Sequence, residues 1–234
     1  MADTAFIVSC EHASAHVPRT YRRWLSGKAR DHTAYDLGAL RYAKALARAF
    51  GAPLFSAGVS RLLVDANRSL HHPHLFGAAL CDAPALVKQR LLDNFYLPHR
   101  QGIQHAIDHA HTQKCRVVHF AAHSFAPVLR GEVRQAEIGL LYDPRRPSEK
   151  AYAARWQAAL QASAQQWRIR RNYPYRGAAD GLPTALRQHY ADTAYLGFEI
   201  EINQAVLRAS PARLREFHAW FVRTTREVFL AAEA

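Results

Sequence analysis

The chain has 234 residues, 49% of them hydrophobic, enough to fill a substantial core in one large domain or two small ones. Thirty-one lysines and arginines against 19 acidic residues leave a formal charge of +12, which favours anionic partners. The arginines are scattered, with no basic tail, RNP-like aromatic motif or zinc-finger spacing, so a small anionic substrate is expected and a nucleic acid is not. No run approaches the roughly 18 apolar residues of a membrane span, and MADTAF lacks the basic start and long apolar core of a signal peptide. Cys10, Cys81 and Cys115 are too few and too scattered for a disulfide framework, so a soluble cytoplasmic protein is expected. No feature specifies an oligomer.

Phe6-Ile7-Val8 reads as a buried strand that breaks at once into Ser9, Cys10, Glu11 and His12, with Ser14 and His16 behind them and Pro18 ending the segment. Tyr21 to His32 is polar and basic, irregular or weakly helical. Asp36 to Phe50 reads as an amphipathic helix stopped by Gly51. Asp36 then falls in the first turn, where a carboxylate also serves as a cap. Pro53–Phe55 and Leu62–Val64 are short apolar runs read as strands, the second delivering Asp65, Asn67 and Arg68. His71, His72 and His74 follow in a loop whose spacing matches no metal site.

Ala85 to Thr112 is helical in pattern, interrupted at Pro98, and carries Tyr96 and His99 within reach of a cleft. Arg116–Ala122 is the clearest buried strand and ends in His123-Ser124-Phe125. Ile138–Tyr142 is another, ending in Asp143. An Ala-rich helix begins at Ser148, a plausible cap. Ile169 to Asn172 leads into the loop NYPYRGAADG. Tyr195–Ile202 is the last strong strand, and the alternation of side chains puts Glu199 and Glu201 on one face. Pro211–Leu230 is a closing amphipathic helix. Strands alternating with helices predict an α/β sandwich with helices on both faces, and the absence of repeats or linkers predicts a single domain over residues 1–234.

Reactive side chains therefore recur at strand ends, where open α/β sheets bind ligands: His12, Asp65 with Asn67 and Arg68, His123, Asp143, and Glu199 with Glu201. Two histidines and a carboxylate from different strands match a catalytic zinc site with a position left for water. A further glutamate would take the water's proton, and nearby arginines would hold an anionic substrate. A nucleophilic Cys10 paired with histidine is the covalent alternative.

The segments VSCEHASAHVP, DLGA at Asp36, SRLLVDANR (Ser60 to Arg68), AAHSF at His123, NYPYRG and GFEIEIN resemble those of the N-formylglutamate amidohydrolase family, in order from about residue 6 to 206. The resemblance implies a zinc-carboxypeptidase-like three-layer α/β/α sandwich around a mixed sheet. It implies metal-dependent hydrolysis of an N-acyl amino acid, in the type case N-formyl-L-glutamate to formate and L-glutamate during histidine degradation. Carried over by position, His12 and His123 become metal ligands, with Asp36 the first choice and Glu11 the second for the third ligand. The ion would be one zinc per chain, or another divalent metal. Glu201 becomes the general base, with Glu199 supporting it or structural. Asn67 and Arg68 resemble the Asn-Arg pair that holds a substrate carboxylate, Arg61 adds a second clamp, and Tyr173, Tyr175 and Arg176 close over the substrate.

The chain departs from the family where histidine-pathway deformylases have a Pro-His-Ser-Gly-like turn, here Cys-Glu-His-Ala-Ser. It departs again where Glu-Ile-Arg-Asn-Asp is replaced by Glu201-Ile202-Asn203-Gln204-Ala205. Those changes keep two other functions open: a metallo-amidase or carboxypeptidase for another acylated amino acid or peptide, and a non-catalytic anion- or nucleic-acid-binding protein on the same scaffold.

Overall fold

The computed structural model describes residues 3–25 and 33–231, so the 26–32 part of the Tyr21–His32 stretch lies outside the described residues. In chain order the strands are β1 (Thr4–Cys10), β2 (Leu54–Ser56), β3 (Arg116–Phe125), a hairpin of β4 (Val128–Leu129) and β5 (Glu132–Val133), then β6 (Ile138–Leu141), β7 (Ile169–Arg171) and β8 (Tyr195–Asn203). Six of them form one sheet in the order β2-β1-β3-β8-β6-β7. Only the β6–β8 pairing in that sheet is antiparallel, which makes it mixed as expected. The helices are α1 (Ala39–Phe50), α2 (Ala85–Leu91), α3 (Leu97–Thr112), α4 (Pro147–Ser163), α5 (Leu182–Arg187), α6 (Gln204–Leu207) and α7 (Pro211–Leu230).

Strands covered on both faces need apolar side chains at successive positions, and β3 and β8 supply them. Val118, Phe120 and Ala122 of β3 and Phe198, Ile200 and Ile202 of β8 turn to one face, where α1, α4 and α7 bring Tyr42, Leu46, Trp156 and Phe221. Trp156 is fully buried and donates to Thr225 Oγ1 at 3.1 Å; truncating such a residue to alanine costs about 3–5 kcal/mol. On the other face Ile7, Val117 and Tyr195 meet Ile103 and Ile107 of α3 and Leu182 and Leu186 of α5. The three layers are thus helices, sheet, helices.

The second face turns polar toward the C-terminal ends of its strands. His119 sits midway, 2.7 Å from Ser9 Oγ and 2.7 Å from Tyr195 OH. Burial pushes this imidazole down to about 4, because both ring nitrogens are satisfied by hydroxyls in a dry environment that disfavours charge. Beyond it, on the same face, come Glu11, His123, Glu199 and Glu201.

Several expectations need correction. Leu62–Val64 is not a strand. Leu63 and Val64 instead fill a separate small core with Val59, Leu75, Leu80, Leu91 and Tyr96 beneath the long 57–84 connection. The helix expected from Asp36 starts at Ala39, which leaves Asp36 free to turn toward the sheet. Ser148 does not cap α4; its N–H donates to Asp192 Oδ2 at 2.9 Å. Pro98 does not break the helix: a π-helical segment (Leu92–Tyr96) precedes it, and Pro98 lies in the first turn of α3. β3 runs on to Phe125, so His123 lies within the strand and not after it. No described helix is long and apolar enough to cross a membrane.

Candidate metal centre

Each of three segments delivers one member of a buried group. His12 lies just past β1, and its carbonyl accepts the Asp36 N–H at 2.9 Å, tying the loop before α1 to the end of the strand. Gly38 makes that turn possible: it adopts a left-handed conformation at φ 78, and a Cβ there would press on the Leu207 side chain at 3.0 Å. His123 is held by the β3 ladder, and the neighbouring Ser124 N–H donates to Asp36 Oδ2 at 3.2 Å.

His12 Nδ1 lies 3.3 Å and His123 Nδ1 3.0 Å from the same oxygen, Asp36 Oδ2. One ligand atom from each of the three residues falls within 4.8 Å of the others. Zinc bound tetrahedrally at its usual 2.0–2.2 Å would hold neighbouring N and O ligands about 3.3–3.5 Å apart, near the two distances to Asp36 Oδ2, while the group as a whole spans up to 4.8 Å. The outer nitrogens are backed by carboxylates: His12 Nε2 is 2.7 Å from Asp65 Oδ1, and His123 Nε2 is 3.0 Å from Glu11 Oε2. This is the carboxylate–histidine support that aims imidazoles at metal ions. Glu11 therefore lies on the far side of the His123 ring, where it also approaches His99 Nε2 at 3.5 Å. Of the two candidates for a third ligand, Asp36 is the one inside the group.

The electrostatics favour a cation there. Burial alone would raise Glu11 and Asp65, yet His123 and His99 around the first, and His12 and Arg61 around the second, hold both carboxyls below their ordinary range. Asp36 is likewise lowered against burial by His12 and His123. Burial opposes charge on the two imidazoles, but the facing carboxylates win: Asp36 and Glu11 raise His123 well above its usual value, and Asp65 and Asp36 raise His12 despite Arg61. Buried carboxylates that stay ionised around two imidazole nitrogens fit a divalent ion of borderline softness.

Glu201 stands across from this group, as the β-ladder partner of His123. Its Oε2 is buried without a hydrogen-bond partner among the described residues. Burial pushes Glu201 up to about 8, helped by Asp36 and Glu199 and opposed by His123 and Arg61. Glu199 is also raised by burial, but its Oε1 accepts from Asn67 Nδ2 at 3.3 Å. Asn67 is engaged at both ends, since its Oδ1 accepts the Leu182 N–H at 2.7 Å. Arg61 bridges Asp65 at 2.8 Å and Asp36 at 3.6 Å, whereas Arg68 is a third exposed, with Asp65 and Asp180 at 4.0 and 3.9 Å. Arg68 is the freer cation.

The NYPYRG loop crosses the sheet beside Glu201: a Cβ on Gly139, the ladder partner of Glu201, would collide with the Tyr173 carbonyl. Tyr175 is exposed and accepts from Arg134 Nη1 at 3.0 Å; Arg176 is exposed. Asp143 stays apart, its carboxylate gripped by Arg145 at 2.7 Å. Cys10 faces the opposite core, where burial raises its thiol, reinforced by Glu11 and Asp36, so it is not poised as a nucleophile.

The sequence reading did not assign Asp65, Glu11 and the first turn of α3 as supports. Tyr96 OH, at the end of the π-helical segment, donates to Arg68 O at 2.7 Å, and Arg100 Nη1 in that turn donates to Ala66 O at 3.1 Å and to Arg68 O at 3.3 Å. Tyr96, His99 and Arg100 brace the 65–68 turn and Glu11 together. Their spacing on one helix face was the available signal.

The model of the N-formylglutamate amidohydrolase family matches residues 4–208. No curated protein matches the sequence. Among solved structures, that of a gene product from Agrobacterium tumefaciens is similar at 26% identity and TM-score 0.84, over 100% of this chain and 93% of that one. An N-formylglutamate amidohydrolase from Ralstonia eutropha has the same fold at 17% identity and TM-score 0.67, over 97% of this chain and 94% of that one.

Proposed function

The chain belongs to the N-formylglutamate amidohydrolase family, and from that premise we propose that it is a zinc-dependent hydrolase of N-acyl amino acids, with N-formyl-L-glutamate the first substrate to test. What carries the reading is the convergence of His12, Asp36 and His123 opposite a buried carboxylate, Glu201, whose Oε2 has no hydrogen-bond partner among the described residues.

His12 Nδ1, His123 Nδ1 and Asp36 Oδ2 would hold the ion, with Asp65 and Glu11 fixing the two rings. A divalent metal there supplies Lewis acidity, polarising the acyl oxygen and lowering the pKa of adjacent water toward about 7. Arg68 pairs with the α-carboxylate of the substrate and orients the amide. Glu201 takes the proton of the attacking water and passes it to the leaving amine nitrogen. Its raised pKa suits this exchange, since a base near neutrality both accepts and returns a proton. Asn67, itself held by the Leu182 N–H, donates to Glu199, whereas Glu201 Oε2 has no hydrogen-bond partner among the described residues and is the carboxylate oxygen open to a water.

The test joins metal analysis of the purified protein to a screen for formate and free amine over N-formyl and N-acetyl amino acids. About one zinc per chain is expected, and His12→Ala and His123→Ala should each lose the metal and the activity. A metal-replete protein inert toward the whole panel would overturn the reading, and salt-sensitive nucleic-acid binding that survives both substitutions would point to a binding protein instead.

A further inference from the structure

We propose that Arg134 binds the side-chain carboxylate of a dicarboxylic N-acyl amino acid, which makes it a specificity residue; the proposal rests on the hydrolase reading above. Other guanidiniums face carboxylates: Arg61 faces Asp36 and Asp65, Arg68 faces Asp65 and Asp180, and Arg145 and Arg168 face Asp143 and Glu137. Arg134 has no carboxylate partner among the described residues. Its guanidinium is held by aromatic surfaces, 5.6 Å from the Phe125 ring centre and 5.0 Å from that of Tyr175, and Nη1 donates to Tyr175 OH. Of the five N–H donors of a guanidinium, this is the one with a partner among the described residues, so a fork remains for a carboxylate.

Arg134 also stands where such a carboxylate would arrive. Phe125 follows His123 by two positions on the same face of β3, a rise of about 7 Å. Tyr173 packs edge-on against Phe125 at 6.5 Å, and its carbonyl abuts Gly139 beside Glu201. Tyr175 is also within electrostatic reach of Arg61, the brace of Asp36 and Asp65. The hairpin and the 172–177 loop thus raise one wall from the reacting groups, with Arg134 held on it. On the hydrolase reading, a ligand held by Arg68 through its α-carboxylate, with its acyl group at the His12, Asp36 and His123 group, would have this wall within reach of its side chain. A neutral side chain would leave the guanidinium without a counter-charge.

The test compares the zinc-loaded protein with Arg134→Gln and Tyr175→Phe on N-formyl-L-glutamate and on its neutral isostere N-formyl-L-glutamine. Equilibrium binding of glutarate and of its monoamide is measured by calorimetry, and thermal midpoints check folding. Arg134→Gln should lower kcat/KM for the diacid about 10- to 100-fold, chiefly through KM, the range for a charged hydrogen bond, and leave the amide substrate unchanged. Glutarate affinity should fall by the same factor, and Tyr175→Phe should shift both in the same direction by less. Equal losses on both substrates would assign Arg134 to clamping the hairpin and overturn the proposal, as would no loss or a wild-type preference for the amide. If the wild type turns over no N-acyl amino acid yet binds glutarate in an Arg134-dependent way, the hydrolase reading fails and the dicarboxylate site stands. If glutarate binding ignores Arg134, the dicarboxylate site fails whatever the turnover.

Discussion

Replacing Glu11 by glutamine separates a carboxylate that ligates from one that supports a ligand. Glu11 is 1% exposed and ionised between His123 and His99, so the substitution keeps its volume and removes a charge from a dry site. Glu11 meets the outer nitrogen of His123 at 3.0 Å, while Asp36 meets the inner nitrogens of both histidines at 3.0 and 3.3 Å. Loss of a supporting carboxylate weakens metal affinity by about 10- to 100-fold, or roughly 1.4–2.7 kcal/mol. Asp36→Asn removes an anionic donor from the group itself and should exceed that range. The assay is competition for zinc against a chromophoric chelator at fixed neutral pH, on protein shown to be folded by circular dichroism. If Glu11→Gln lost as much affinity as Asp36→Asn, Glu11 would be a ligand and the assignment would be wrong; if it lost none, the ion pair with His123 would contribute nothing.

Glu201→Gln should cut turnover by about 10²- to 10⁴-fold with metal content intact, as expected for loss of a general base, and Glu199→Gln should cut it less; steady-state kinetics beside zinc analysis decide between them. Gly139→Ala should push the Tyr173 carbonyl off the sheet and raise KM while β6 remains paired, which kinetics and thermal melts would show. His119 has a folded pKa depressed to about 4, so it stays neutral while an unfolded imidazole gains a proton below about 6.5. Its contribution is complete above that value and is lost as pH falls through the window from 6.5 to 4, about 3 kcal/mol in all. The stability difference between wild type and His119→Asn in denaturant titrations should shrink by that order over the window, and a constant difference would refute the assignment.

The candidates His12 and His123 were legible because they stand at breaks in apolar runs: IVS into Cys-Glu-His, and VVHFAA into His-Ser. What was not legible is which side of an imidazole a carboxylate occupies. Glu11 and Asp36 were rival third ligands in sequence, and only the path of the loop through Gly38 sends Asp36 inward while Glu11 stays behind His123. Leu62–Val64 has the composition of a strand, but its burial is supplied by Leu91 and Tyr96 from a segment whose packing local periodicity does not report. Arg134 escaped notice because its meaning depends on the lack of a counter-charge, a property of the assembled fold. The pairing of His123 with Glu201 joins residues 78 positions apart and has no local signature.

That pairing has a consequence for how such a protein changes over time. His123 and Glu201 are cross-strand partners on the two central strands, so their spacing is set by backbone hydrogen bonds, roughly 4.8 Å between strands, and surface loops cannot alter it. The groups that would choose among substrates, Arg68, Arg134 and Tyr175, lie instead on a turn, a hairpin and a loop. On the proposed reading, chemistry and selectivity would be mounted on separate parts, so substitutions in the hairpin and the 172–177 loop would change which ligand is preferred while the His123–Glu201 spacing is kept.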